Sequence, residues 1–243
     1  MRLLFILAFA FLCFGCDQVK TAVGELSSPA VVSSDVTTAA KVQPARVALY
    51  WENTTAPHPE RKPWSGELVK NITADLKSYD SASDITLFCP KYKSLNQTQK
   101  IKAVGEIFVA TSFYESGFKP QSFMAECRKN KCVYSSGCRL DAKLGYCMKG
   151  GHALDNGVVI SRGLMQMSLQ SAQGYGCSFL KVPNDLHDPI LNLRCANIIM
   201  KKQIARTENK IGARSNYWAV LKPTNENQKN IIERVKKFAP FCK

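Results

Sequence analysis

Apolar residues recur at three- and four-residue spacing in several stretches, the period of a helix that buries one face. Leu68, Ile72, Leu76 and Tyr79 predict a helix over about 65–78. Ile101, Val104, Phe108 and Thr111 predict a second, beginning near Asn96 and stopped by Gly117 and Pro120. The run PILNLRCANIIMKKQIAR is apolar almost all round and predicts the central buried helix. Asp185 and Asp188 precede its Pro189, an N-cap followed by proline at the first helical position. Ile231, Ile232 and Val235 mark a last helix over about 226–237. Asn156-Gly157 between apolar residues predicts a β-hairpin, because a two-residue type I′ turn needs positive φ at both positions. The pattern is that of one α+β domain, predominantly α-helical, with a small hairpin.

The remaining stretches lack a period. Residues 119–150 carry four cysteines, abundant Lys and Gly, and read as a disulfide-rich insertion. "ALYWENTTAPHPERKPW" is too proline-broken for a helix and predicts an extended arm wrapping the domain. Residues 17–45 are small, Ser/Thr/Ala/Val-rich and free of aromatics, the composition of a flexible tether. Ahead of them, Arg2 is followed by LLFILAFAFLCF, too short to span a bilayer and placed as an export signal. The organisation expected is a signal peptide over 1–15, a tether over 16–45 and a folded domain over 46–243.

The signal ends in LCFGC, which resembles a bacterial lipobox with Cys16 as the acylated residue. Cys13 and Phe14 depart from that pattern, so cleavage as an ordinary secretory signal is the alternative. Beyond Cys16 stand Cys89, Cys127, Cys132, Cys138, Cys147, Cys177, Cys195 and Cys242. These eight can pair completely, leaving Cys16 free for a lipid anchor, and an exported chain meets an oxidising compartment. Four disulfides are therefore expected, in a connectivity that spacing does not decide. Cys127, Cys132, Cys138, Cys147 and His152 would be the rival zinc set. Their spacings of four, five and eight intervening residues include no CxxC, so neither metal nor cofactor is expected.

Lys and Arg number 33 against 19 Asp and Glu, a net charge of +14. Such a balance favours anionic partners, including the polymers of a cell wall. There is no RNA-binding signature or Cys2His2 spacing, and the basic residues are scattered through helical stretches, so no nucleic-acid partner is expected. The domain reads as a monomer.

Candidate chemistry begins at Glu115. It falls on the next step of the Ile101–Thr111 stripe, at the rim of the core, where desolvation raises a carboxyl pKa and lets it hold a proton near neutrality. A helix-end glutamate turned to solvent is the competing reading. Glu115-Ser116-Gly117, then Gly163-Leu164-Met165-Gln166, then Asp188-Pro189 with Asn192-Leu193 decide between them. In that order these motifs resemble the soluble lytic transglycosylase and goose-type lysozyme superfamily, over roughly residues 97–220. The resemblance implies a lysozyme-like fold and cleavage of peptidoglycan glycan strands at the MurNAc-GlcNAc β-1,4 bond. It implies Glu115 as the acid that protonates the glycosidic oxygen, with Met165 and Gln166 lining the cleft. Tyr217, in Asn216-Tyr217-Trp218, is a looser counterpart of the family's Tyr-Asn motif and an equal candidate for core packing. The family's serine before GLMQ has Gly157 at its position here, so its role is not carried over to Ser161.

A second carboxylate decides the reaction. An inverting hydrolase needs a base to activate water, whereas a lytic transglycosylase needs one glutamate and forms 1,6-anhydro ends. Asp155 flanks the predicted turn directly before GLMQ and is the first candidate base, although Asp also favours such turns for local reasons. Asp141 and Glu126 are the others. Hydrolysis is the preferred expectation, transglycosylation the alternative, and a non-catalytic wall-binding lipoprotein a third. The long cysteine-rich insert resembles that of the predatory-bacterial lysozyme acting on deacetylated peptidoglycan. Local acids could there bind exposed glucosamine ammonium groups.

Overall fold

Helix α3 (Gln97–Ser116) is the axis of the structure. It starts where Asn96 Oδ1 accepts the Gln99 N–H at 2.9 Å and Gln99 Oε1 accepts the Asn96 N–H at 3.1 Å, a reciprocal capping box. Every residue from Ala103 to Ser112 is buried, so this helix is enclosed on all sides rather than along one stripe. The computed structural model describes residues 46–124 and 160–243 in full and, between them, only the backbone of short strands. The predicted signal segment, the tether with Cys16 and the Asn156-Gly157 turn lie outside the described residues, as do the side chains of Cys127, Cys132, Cys138, Cys147 and His152.

The other helices are α1 (Lys62–Asp80), the short α2 (Ile85–Phe88), α4 (Leu169–Gly174), α5 (Pro189–Arg206) and α6 (Asn227–Phe238); α1 and α6 pack on α3, α5 packs on α1, and α2 on α6. Three of these match the predicted helices within a few residues. Helix α5 begins as expected, with Asp188 Oδ1 accepting the Ile190 and Leu191 N–H groups at 2.7 and 3.1 Å. It is not the central helix, however. Arg194, Lys201 and Lys202 keep one side of α5 at the surface, where Arg194 Nε lies 2.7 Å from Glu67 of α1 and Lys201 Nζ 2.7 Å from Asp75. The central place belongs to α3, whose Gly105 lets Leu49 of the N-terminal arm come within 2.7 Å of where a Cβ would stand.

The arm folds into two 3-10 turns, Tyr50–Glu52 and Pro59–Arg61, rather than running fully extended. It buries Trp51 completely, with Nε1 donating to Ser65 Oγ at 2.8 Å. Strands β1 (Phe123–Ala125), β2 (Cys127–Arg128), β3 (Lys131–Cys132), β4 (Arg139–Asp141), β5 (Tyr146–Lys149), β6 (His152–Ala153) and β7 (Ile160–Arg162) form small antiparallel pairings. The informative one joins β1 to β7, with Met124 opposite Ser161, because it closes the neck through which the cysteine-rich insertion leaves and rejoins the domain. Two of the four expected disulfides are seen among the described residues, and the structure supplies their pairing. Cys89–Cys242 ties the end of α2 to the C-terminal segment across 153 residues, and Cys177–Cys195 ties the turn after α4 to α5. No helix among the described residues is long and apolar enough to cross a membrane.

One buried acid inside α3 shapes the pH response of the fold. Glu106 is fully enclosed; its Oε1 accepts the Tyr50 N–H at 3.0 Å and lies 3.8 Å from Lys102 Nζ. Its Oε2 has no partner among the described residues. Burial pushes its pKa up to about 8 against the pull of Lys102, and Glu52 adds repulsion. In the unfolded chain the same carboxyl ionises near pH ~4.3. Between those values the folded state binds a proton that the unfolded state does not, so stability falls as pH rises through the window and is unaffected below it. Glu106→Gln should flatten that fall by up to about 1.4 kcal/mol per pH unit in denaturant unfolding between about pH 5 and about pH 8. Parallel curves for variant and wild type would show that Glu106 is not held neutral.

Candidate active site

Glu115 is the penultimate residue of α3. Gly117 ends the helix in the left-handed conformation, at φ 61°, with its N–H on the Phe113 carbonyl at 2.9 Å. Phe118, also at positive φ (64°), then turns back into the core beside Trp51 and Phe113. The chain therefore leaves the helix without lifting its last turn into water. Glu115 is left half-buried, with no hydrogen bond or ion pair among the described residues. Burial alone pushes its carboxyl up to about 7. Such a carboxyl can carry a proton at neutral pH and release it to a group that enters the site.

The neighbouring Ser116 fixes where the end of α3 sits. Its Oγ donates within reach of the Leu164 carbonyl, 2.9 Å away, so the end of α3 is fastened to the Gly163–Met167 segment. That segment is a tight turn. Arg162 and Met167 exchange backbone hydrogen bonds at 2.9 and 3.0 Å, and the Gly163 N–H donates to the Ser122 carbonyl at 2.9 Å. Gly163 has φ 76°, and a Cβ on it would stand 2.0 Å from the Leu186 carbonyl and 2.2 Å from Asn192 Nδ2, so only glycine fits. Asn192 of α5 is the clamp. Its Oδ1 accepts the Met165 N–H at 3.0 Å, and its Nδ2 donates to the Leu186 and Arg162 carbonyls at 2.8 and 3.2 Å. From the far side, Trp218 Nε1 donates to the Met165 carbonyl at 2.8 Å.

The sequence-derived candidates sort accordingly. Met165 has 0% exposure, so its side chain packs in the core and does not line a cleft; the correction follows from the inward direction that the turn imposes. Gln166 is 5% exposed, and its Nε2 donates to the Gly163 and Ser122 carbonyls at 2.8 and 3.2 Å. It holds the turn from within, at a positive φ of 44°. Tyr217 is partly buried, edge-on to Tyr175 at 5.7 Å and next to the Trp218 that binds Met165. The structure thus fastens the end of α3, next to Glu115, to the turn that Gln166 holds from within, and Tyr217 adjoins the Trp218 that bonds to that turn. Asp155 and Glu126 lie outside the described residues, and Asp141 is described only as backbone in β4. Sequence reasoning gave no role to Ser116, Tyr175 or Trp218, which act through contacts formed only by the fold. Asn192 was visible in its motif, but its three bonds were not.

A half-buried glutamate without a partner among the described residues, at a helix end fastened to a glycine-led turn in a mostly helical domain, has the character of a proton-transferring acid. A family model for the transglycosylase SLT domain matches residues 95–237, and the chain belongs to that family. It is accordingly a peptidoglycan-degrading enzyme of the lytic transglycosylase and lysozyme-like kind, acting outside the cytoplasm. Among solved structures it is similar to wild-type Bd0314 DslA of Bdellovibrio, with 25% identity, a TM-score of 0.60, and coverage of 82% of this chain and 99% of that one. Two single glutamate-to-glutamine mutants of the same protein match at 26% identity with TM-scores of 0.61 and 0.60 and the same coverage. No curated protein matches the chain.

The clamp generates a test. Asn192→Asp keeps an oxygen for the Met165 N–H but sets its other oxygen against two carbonyls. Stability at neutral pH should fall by about 2 kcal/mol or more, with part recovered on acidification as the new carboxyl takes up a proton. Denaturant unfolding measures it. Unchanged stability would show that the turn does not depend on this clamp.

Proposed function

We propose that this chain cleaves the MurNAc-GlcNAc β-1,4 bond of peptidoglycan glycan strands by lysozyme-type hydrolysis, with Glu115 as the general acid. The supporting observation is the Glu115 carboxyl itself, half-buried, without a partner among the described residues and pushed up to about 7 by desolvation alone. As the glycosidic bond breaks, positive charge grows on the sugar and negative charge on the leaving oxygen. A proton delivered by Glu115 neutralises the leaving oxygen, and the resulting carboxylate then faces the cationic sugar. The acid form is present below the folded pKa, so cleavage should decline as pH rises above about 7.

Hydrolysis requires a second carboxylate to activate water from the opposite face. Asp155 holds the place before the Gly163 turn and is one candidate. Glu126 is favoured by a separate observation. The two glutamates replaced in the Bd0314 DslA mutants are eleven positions apart, and so are Glu115 and Glu126. Acids of the insertion would also suit glucosamine ammonium groups, which makes deacetylated wall the preferred substrate in this reading. The alternative is transglycosylation by Glu115 alone, which yields 1,6-anhydro ends. Delivery to the wall follows from the export signal, with acylation at Cys16 anchoring the tether to a membrane.

Digestion of purified sacculi, acetylated and deacetylated, with mass spectrometry of the fragments, tests these statements together. Reducing ends are expected, and anhydro ends would assign transglycosylation. Glu115→Gln should lower cleavage at least about a hundredfold while leaving the thermal midpoint unchanged. A variant within tenfold of wild type would remove Glu115 from the chemistry. Glu126→Gln and Asp155→Asn should separate the two candidate bases, only one producing a comparable loss.

A further inference from the structure

One residue before Glu115, a second concave site opens on a different face of α3. Tyr114 lies in one wall, Tyr50 of the arm in another, and Asn230, Arg234, Lys237 and Phe238 of α6 supply the rest, around about 340 Å³. Successive helix residues are about 100° apart around the axis, so the Tyr114 and Glu115 side chains leave α3 in different directions. We infer that this cavity is a binding site for a short carboxylate-bearing peptide, beside the glycan cleft rather than part of it.

The charge and the aromatic rings both point to that ligand. Neither Arg234 nor Lys237 has an ion-pair partner among the described residues, whereas Glu233, the one acid at the rim, is 3.1 Å from Lys236. The site therefore keeps two uncommitted cations. Arg234 is also held in place. Its guanidinium carbon sits 3.6 Å from the centre of the Phe113 ring and 5.5 Å from that of Tyr114. A guanidinium stacked face-on keeps its N–H groups free in its own plane, the arrangement that grips a carboxylate with two parallel hydrogen bonds.

A sugar ring suits the cavity less well. Carbohydrates stack on open aromatic faces, but Tyr50 and Phe238 lie stacked on each other, 13° from parallel, and the guanidinium covers a face of Phe113. Beside these rings stands the amide of Asn230, which suits a peptide bond. The volume accommodates two or three residues. If the proposed function holds, the peptide bound here is one that branches from the glycan strand.

The test uses acetyl-alanyl-glutamate, its uncharged diamide and chitotetraose, each titrated calorimetrically into the full chain with its disulfides intact. Saturable binding of the acidic peptide is expected, at least about tenfold weaker for the diamide and for Arg234→Ala, and weakened by salt. Lys237→Ala changes an exposed side chain and should weaken the peptide about threefold, which keeps the proposal testable if Arg234→Ala loses its fold. Absence of peptide binding to wild type, or equal affinity in both variants, overturns the proposal. Chitotetraose binding that Arg234→Ala abolishes overturns it in favour of a sugar subsite. Sacculus cleavage is scored on the same wild-type preparation, so missing peptide binding with intact cleavage refutes this site alone.

Discussion

A helix buried on every side must still end, and the way α3 ends governs the rest of the site. Its last carbonyls need donors, and its last turn lies at the rim of the core that Phe118 re-enters. Gly117 in the left-handed region supplies the turn, and Ser116 bonds back to the Leu164 carbonyl. The result is a carboxyl at position 115 with most of its surface covered and, among the described residues, no group that offsets the lost hydration. Desolvation is thus a consequence of how the helix is terminated, and the raised pKa follows from it.

The same helix carries a second perturbed glutamate, and the contrast clarifies what reactivity requires. Glu106 has the higher pKa, about 8 against about 7, because it is wholly enclosed. It is spoken for by the Tyr50 N–H and Lys102 and has no exposed surface on which to meet a substrate. Glu115 combines partial desolvation with access. A perturbed carboxyl marks a catalytic acid only when both hold. The turn at Gly163–Met167 matters as well, since Asn192, Trp218 and Gln166 hold the segment fastened to the end of α3 through hydrogen bonds to its backbone rather than side-chain packing alone.

Periodicity made α1, α3, α5 and α6 legible, along with the position of Glu115 on an apolar stripe. It misjudged which helix is central. Ala103, Gly105, Glu106, Thr111 and Ser112 are weakly apolar or polar, yet all are buried in α3; Gly105 lets the arm approach, Glu106 Oε1 and Thr111 Oγ1 find partners, and the Ser112 hydroxyl is buried without one among the described residues. Helices α2 and α4 are too short to show a period, and the β1–β7 pairing joins three-residue strands far apart in sequence. Met165 looked like a cleft residue because its motif suggested one, whereas its exposure is a product of the turn. Contacts such as Asn192 to Met165 join segments that no local pattern relates.

The account rests on Glu115 holding its proton near neutrality because the fold withholds water. Titration of its side-chain carboxyl by carbon-13 NMR in the substrate-free protein, assigned through the Glu115→Gln spectrum, measures that directly. A midpoint near 7 is the value expected for this desolvated carboxyl. A midpoint at the ordinary value, ~4.3, would contradict the account, because a carboxyl ionised across neutral pH has no proton to give.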